Sequence, residues 1–162
     1  VKTGHLKPGR IDPDPAPEIC SCGALRQAAR HVTRLYDDAL APVGLSLNQF
    51  SILSKLSRLG PHSLQDLAAL LVMDRSTLGH LLRPLERRGA LTLGTAAADK
   101  RQRVIALTAS GHALMAAARP LWQQAEDGFA AAFGPARALA LRTELKQVTQ
   151  VASIGGGQAH HG

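Results

Sequence analysis

The chain has 162 residues, of which 45% are hydrophobic and only 3% aromatic, and it carries a formal net charge of +7. This length suits one domain, and a core drawn from Leu, Ala and Val favours helix. The composition excludes a disordered polar chain, and no apolar run approaches the roughly 18 residues of a membrane span. The charge points either to a polyanionic partner or to an evenly solvated basic surface.

Residues 1–18, ending in "IDPDPAPE", read as a flexible Pro- and Gly-marked arm, with no apolar stretch of the kind a signal peptide needs. Over residues 22–40, Leu25, Ala28, Ala29, Val32, Leu35, Tyr36, Ala39 and Leu40 follow helical spacing until Pro42 and Gly44. Ser46 and Gln49 have capping-box spacing, so they start a second helix with Phe50, Leu53 and Leu56 on its buried stripe. Gly60-Pro61 ends it, and Ser63 with Asp66 opens a third helix whose Leu64, Leu67, Ala68 and Leu71 face inward. A short break at Val72 and Met73 leads to Asp74, an N-cap for a fourth helix that runs to about Arg88 and closes at Gly89. Pro84 is expected to kink that helix.

Residues 90–93 and 103–107 read as two short strands joined by "GTAAADKRQ". Thr108 caps a long fifth helix carrying Leu114, Met115, Ala118, Leu121, Trp122, Ala125 and Phe129. Gly134-Pro135 breaks the chain before a sixth helix with Leu139, Leu145 and Val148, and "GGGQAHHG" follows as a flexible tail. The expected fold is mainly α, with about six helices and a two-stranded β-hairpin: a winged helix-turn-helix with a helical dimerisation end. Its divisions are a flexible arm (1–18), a dimerisation helix (19–45), a winged DNA-binding lobe (46–108), dimerisation helices (109–153) and a flexible tail (154–162). The Ala- and Leu-rich terminal helices have more apolar surface than one small lobe covers, so they call for a second copy.

The fourth helix has two faces. Leu78, Leu81, Leu82 and Leu85 make an apolar stripe. The other face offers Arg75, Ser76, Thr77, His80, Arg83 and Arg87, with Ser63 at the start of the helix before it. Short hydroxyls near a helix N-terminus can reach phosphates or base edges, arginine can grip guanine or phosphate, and the terminus itself favours a phosphate. The plain alternative is a solvated face. In the hairpin, Asp99 stands two residues before Arg101 and can orient its guanidinium, while Lys100 and Arg103 add charge. An arginine at a hairpin tip suits a narrow minor groove; a turn salt bridge with no DNA role is the alternative.

The run "RSTLGHLLRPLERRGALTLGTAAADKRQRVIALTASGHAL" resembles the MarR family of bacterial winged-helix regulators. The resemblance rests on "LERRGAL", the D-x-R of Asp99 and Arg101, and "LTASG", with "LNQFSIL" and "SLQDLAALLVMDRSTL" upstream. It covers about residues 22–150. The wing tip "TAAA" departs from it, being apolar where basic residues are frequent, so wing affinity would rest on Lys100, Arg101 and Arg103. The resemblance implies a homodimer paired through the first, fifth and sixth helices, binding a pseudo-palindromic double-stranded DNA operator. It implies a bacterial, cytoplasmic protein that joins the nucleoid when bound. It also implies a small effector, aromatic or anionic, between dimer end and DNA lobe, for which Arg26, Arg30, His31, Phe50 and Trp122 are the candidates. Trp122 is equally well read as core.

Cys20 and Cys22 are either ordinary reduced thiols or an oxidant sensor. A helix N-terminus with Arg26 one turn on suits a reactive thiol, and some MarR-like proteins sense oxidants with a cysteine in this region. A disulfide between residues so close in sequence is strained, so an intersubunit bridge is the oxidised form to expect. Nothing fixes His160 and His161 near the cysteines, so no metal site is expected. No nucleophile elbow or phosphate loop is present, so neither cofactor nor catalysis is expected. The remaining readings are a sequence-neutral, architectural DNA binder and a helical interaction module that ignores DNA.

Overall fold

A computed structural model describes residues 20–95 and 103–151. α1 (Ser21–Leu40) starts where the Cys20 Sγ accepts the Gly23 amide at 3.4 Å, and it tightens into a 3-10 turn (Ala41–Val43) at Pro42. α2 (Leu47–Leu59) opens on a complete capping box. The Ser46 hydroxyl accepts the Gln49 amide at 3.3 Å and the Gln49 side chain accepts the Ser46 amide at 3.1 Å. Asp37 of α1 accepts the Leu47 amide at 2.6 Å, so the two helices share a polar joint.

α3 (Leu64–Leu71) and α4 (Arg75–Arg87) are separated by a turn at Val72, which adopts a left-handed φ of 53° although it is β-branched. α4 continues through Pro84, and helical bonding resumes beyond it, with the Arg88 amide donating to the Pro84 carbonyl at 3.1 Å. β1 (Leu91–Thr95) and β2 (Arg103–Leu107) are antiparallel, with Leu93 opposite Ile105. His62 adds a bridge to Ile105, donating to and accepting from it at 3.1 and 2.8 Å. The root of the hairpin is thereby tied to the start of the helix-turn-helix. α5 (Ala109–Phe133) and α6 (Pro135–Val148) complete the chain, with Pro135 in the first turn of α6 as its missing amide allows.

One apolar core joins these elements. Ile52 and Leu53 of α2 are fully enclosed by Leu67 of α3, Leu78 and Leu85 of α4, Ile105 of β2, and Met115 and Ala118 of α5. Among the described residues no polar or charged side chain is buried. Each enclosed leucine contributes about 1.5–3 kcal/mol relative to exposure, so α2 is the post on which the DNA-facing helices are mounted.

The first turn of α5 is fixed to the end of α4 by its own sequence. Thr108 caps the helix by accepting the Gly111 amide at 3.0 Å, donates its hydroxyl to the Gly89 carbonyl, and donates its amide to Ala90 at 3.2 Å. Gly111 is required there, because a Cβ would lie 2.0 Å from the Ala90 carbonyl oxygen.

Beyond the lobe, α1, α5 and α6 enclose a cavity of about 490 Å³ lined by Leu25, Val32, Phe129, Leu141, Leu145 and Val148, among others. Its polar wall is a chain of three groups. The Tyr36 hydroxyl donates to one oxygen of Glu126, and Arg142 donates to the other at 2.6 Å. Burial, followed by the bond to Glu126 and its charge, pushes the Tyr36 phenol well above its ordinary range, so it remains a donor. Leu35, Leu139 and Val148 are exposed on the same end.

Candidate nucleic-acid interface

α4 is held by one face and offers the other. Leu78, Leu82 and Leu85 are buried and Leu81 is half-buried, while Arg75, Ser76, Thr77, His80, Arg83 and Arg87 are all exposed. Burial of the leucines is what turns the polar residues outward together. Arg103, at the start of β2, is exposed as well, and with Arg83 it lines a recess of about 390 Å³ between α3, α4 and the hairpin. Arg83 and Arg103 therefore flank one feature, although twenty residues separate them in sequence. Asp99, Lys100 and Arg101, and also His160 and His161, lie outside the described residues.

The two helix starts differ from the sequence expectation in one respect. Asp74 caps α4 with both carboxylate oxygens. One accepts the Thr77 amide at 2.8 Å, and the other accepts the Thr77 hydroxyl at 2.6 Å. The Thr77 hydroxyl, and after it the Thr77 amide, hold the Asp74 carboxyl below its ordinary range. Because the folded value is depressed, this contribution to stability is complete above the ordinary carboxylate range and is lost only as pH falls through the folded value. At neutral pH the α4 N-terminus thus already carries an anion, whose charge opposes a phosphate at that end. At α3 the roles are reversed: the Ser63 hydroxyl is the cap, accepting the Asp66 amide at 3.1 Å and donating to Asp66 at 2.7 Å.

Arg88, at the end of α4, carries a further positive charge. In the structure its side chain turns away from the α4 face to donate to the Gly44 and Val43 carbonyls at 2.8 and 3.0 Å. It clamps the end of α4 to the turn after α1. The partners lie 44 and 45 residues back, so no local pattern announces the contact.

Among the described residues, the five effector candidates lie in separate places. Phe50 is buried and stacks on Trp122, with ring centroids 5.5 Å apart, and Trp122 packs against the core. Arg30 and His31 line an open recess on α1 with Arg34, and Arg26 is exposed on the same helix. Cys20 and Cys22 are both exposed at the start of α1; the sulfur that meets the helix amides is that of Cys20.

The comparisons with known proteins agree with this arrangement. The MarR family model matches residues 45–102, the segment from the end of the first turn to the hairpin. Among solved structures, the M. tuberculosis transcriptional regulator MosR is 31% identical, and the match covers 83% of this chain and 98% of that one with a TM-score of 0.70. The M. tuberculosis regulator MosR in complex with DNA is 32% identical over 82% of this chain and 99% of that one, with a TM-score of 0.65. The transcriptional repressor CouR, bound to a 23-mer DNA duplex, is 27% identical over 80% and 92% of the two chains, with a TM-score of 0.74. No curated protein sequence matches the chain. With the winged-helix pattern in its sequence, six helices and a hairpin in its fold, and a relative 31% identical over nearly that relative's whole length, the chain belongs to the MarR family of transcriptional regulators.

Proposed function

We propose that the protein is a sequence-specific regulator of transcription, acting as a repressor, that binds a pseudo-palindromic operator as a homodimer. The observation that carries this reading is the outward face of α4, where arginines and short hydroxyls stand together on a helix anchored by buried leucines. MosR and CouR, both with solved DNA complexes, support it. In this reading α4 enters the major groove, and Ser63, Arg75, Ser76, Thr77, His80, Arg83 and Arg87 face the DNA. Arg101, oriented by Asp99, and Lys100 and Arg103 serve the wing. α1, α5 and α6 pair the two copies, and the DNA-bound protein resides on the nucleoid in the cytoplasm. No described helix is long and apolar enough to cross a membrane.

The test is fluorescence anisotropy on DNA from upstream of the protein's own gene against random duplex. Arg83→Ala should cost about ten- to a hundredfold on the operator and relax its sequence preference, as loss of a base-reading arginine does. Arg101→Ala should weaken all duplexes alike and lower the salt slope by about one. Equal losses on operator and random DNA for both variants would instead identify a sequence-neutral architectural binder.

Release from DNA is the finer half of the proposal. A small aromatic or anionic effector would meet Arg30 and His31 in the α1 recess, and oxidation would act at the exposed Cys20 and Cys22. Mild peroxide should release reduced protein from its operator, and Cys20→Ser with Cys22→Ser should abolish that release. Peroxide-sensitive binding in the double variant would remove the cysteines from the account.

A further inference from the structure

A threonine hydroxyl has one proton to donate and two lone pairs to accept with. At Thr77 the proton is already committed. The hydroxyl lies 2.6 Å from Asp74 Oδ2, and an ionised carboxylate can only accept, so the direction of that bond is fixed. The Asp74 carboxyl is held in its ionised form, as described above. Withdrawing the proton would cost a charge-assisted bond, stronger than a neutral one. Thr77 is nonetheless exposed on the face of α4 that carries Arg83 and His80. What it shows the outside is a pair of lone pairs and a methyl group, backed by the negative charge of Asp74.

That surface selects among bases. In the major groove adenine N6 and cytosine N4 are amino donors, whereas guanine O6, guanine N7 and thymine O4 are acceptors. Lone pairs set against a keto oxygen repel it, and set against an amino group they bond. We propose that Thr77 is a specificity-determining residue that accepts from an amino-bearing base, adenine or cytosine, and that Asp74 imposes this choice by taking the hydroxyl's only proton. The inference rests on the reading of α4 as the helix that enters the major groove. Ser63 differs, because its hydroxyl donates to Asp66 and also accepts the Asp66 amide, which leaves it less to offer a base.

The experiment selects operators from a duplex pool randomised in each half-site, then measures Kd for the four bases at the position whose preference depends on Thr77. The wild-type protein should lose about fivefold, the worth of one hydrogen bond, when the amino group of the preferred pair is deleted, with purine in place of adenine or pyrimidin-2-one in place of cytosine. Thr77→Ser keeps the hydroxyl and the preference. Thr77→Val keeps the shape and removes the preference. Asp74→Asn is the decisive variant, since asparagine caps a helix as well as aspartate. Its amide nitrogen donates to Thr77, the hydroxyl proton turns outward, and the order of bases should invert towards guanine or thymine.

A defined operator whose base preferences survive both Thr77→Val and Asp74→Asn overturns the proposal and leaves the regulator reading intact. Full wild-type affinity for an operator whose amino group at the Thr77-dependent pair is deleted also overturns it. Selection of no sequence at all by the wild-type protein sinks both. Should Asp74→Asn fail to melt cooperatively, the contrast between Thr77→Ser and Thr77→Val decides alone.

Discussion

Gly111→Ala lowers the unfolding free energy by about 3 kcal/mol or more, at the upper end of what overpacking costs, and weakens operator binding with it. The added Cβ would sit 2.0 Å from the Ala90 carbonyl oxygen and 3.0 Å from Leu107 Cδ2. The leucine methyl can rotate aside, but the carbonyl cannot. It belongs to the backbone and already accepts the Thr108 amide at 3.2 Å. Relief therefore requires the start of α5 to move off β1, which also breaks the Thr108 hydroxyl bond to Gly89 at the end of α4. Urea titration followed by circular dichroism reads the loss. A midpoint equal to that of the wild-type protein would mean that the α4–α5 junction yields easily, contrary to the rigid joint described here.

Leu145→Glu should convert the proposed dimer into a monomer and reduce operator affinity by about a hundredfold or more, because two linked half-site contacts become independent ones. Leu145 stands 38% exposed on the apolar side of the cavity between α1, α5 and α6, and Leu139 and Val148 of the same helix are 61% and 48% exposed. A second copy would remove this surface from water, whereas a glutamate there would carry a charge into the apolar seam, beside an Arg142 already paired with Glu126. Sedimentation velocity gives the mass directly. A variant that still sediments as a dimer would place the interface on some other surface.

The elements legible in the sequence are those whose causes are local. Ser46 with Gln49, Ser63 with Asp66, and Thr108 before Gly111 mark helix starts within three residues, and the structure makes each of those bonds. The leucine spacing of α4 likewise determined which of its faces would be buried. Asp74 and Thr77 were equally local, and the D-x-x-T spacing was enough to show that the threonine proton would be occupied. Other contacts had no such signal. Tyr36 meets Glu126 across 90 residues, and Arg88 meets Val43 across 45. The His62 bridge to Ile105 depends on how a loop lies against a strand. Such pairings follow from packing of whole elements, and a periodic pattern in one segment carries no information about them. The stacking of Phe50 on Trp122 belongs to this class too: each residue was visible on its own apolar stripe, but their meeting was not.

The Arg88 clamp separates two quantities that a count of basic residues merges. Its guanidinium donors are engaged by the Val43 and Gly44 carbonyls, so it releases no counterion from a phosphate when the complex forms. Its charge, however, is uncancelled by those neutral partners and remains exposed at the end of α4. It therefore adds to the field that draws the polyanion in and raises the rate of encounter. Arg88→Gln should slow association at low ionic strength while leaving the ionic-strength dependence of the equilibrium affinity where it was. The charge that guides the protein to DNA is thus larger than the charge that holds it there.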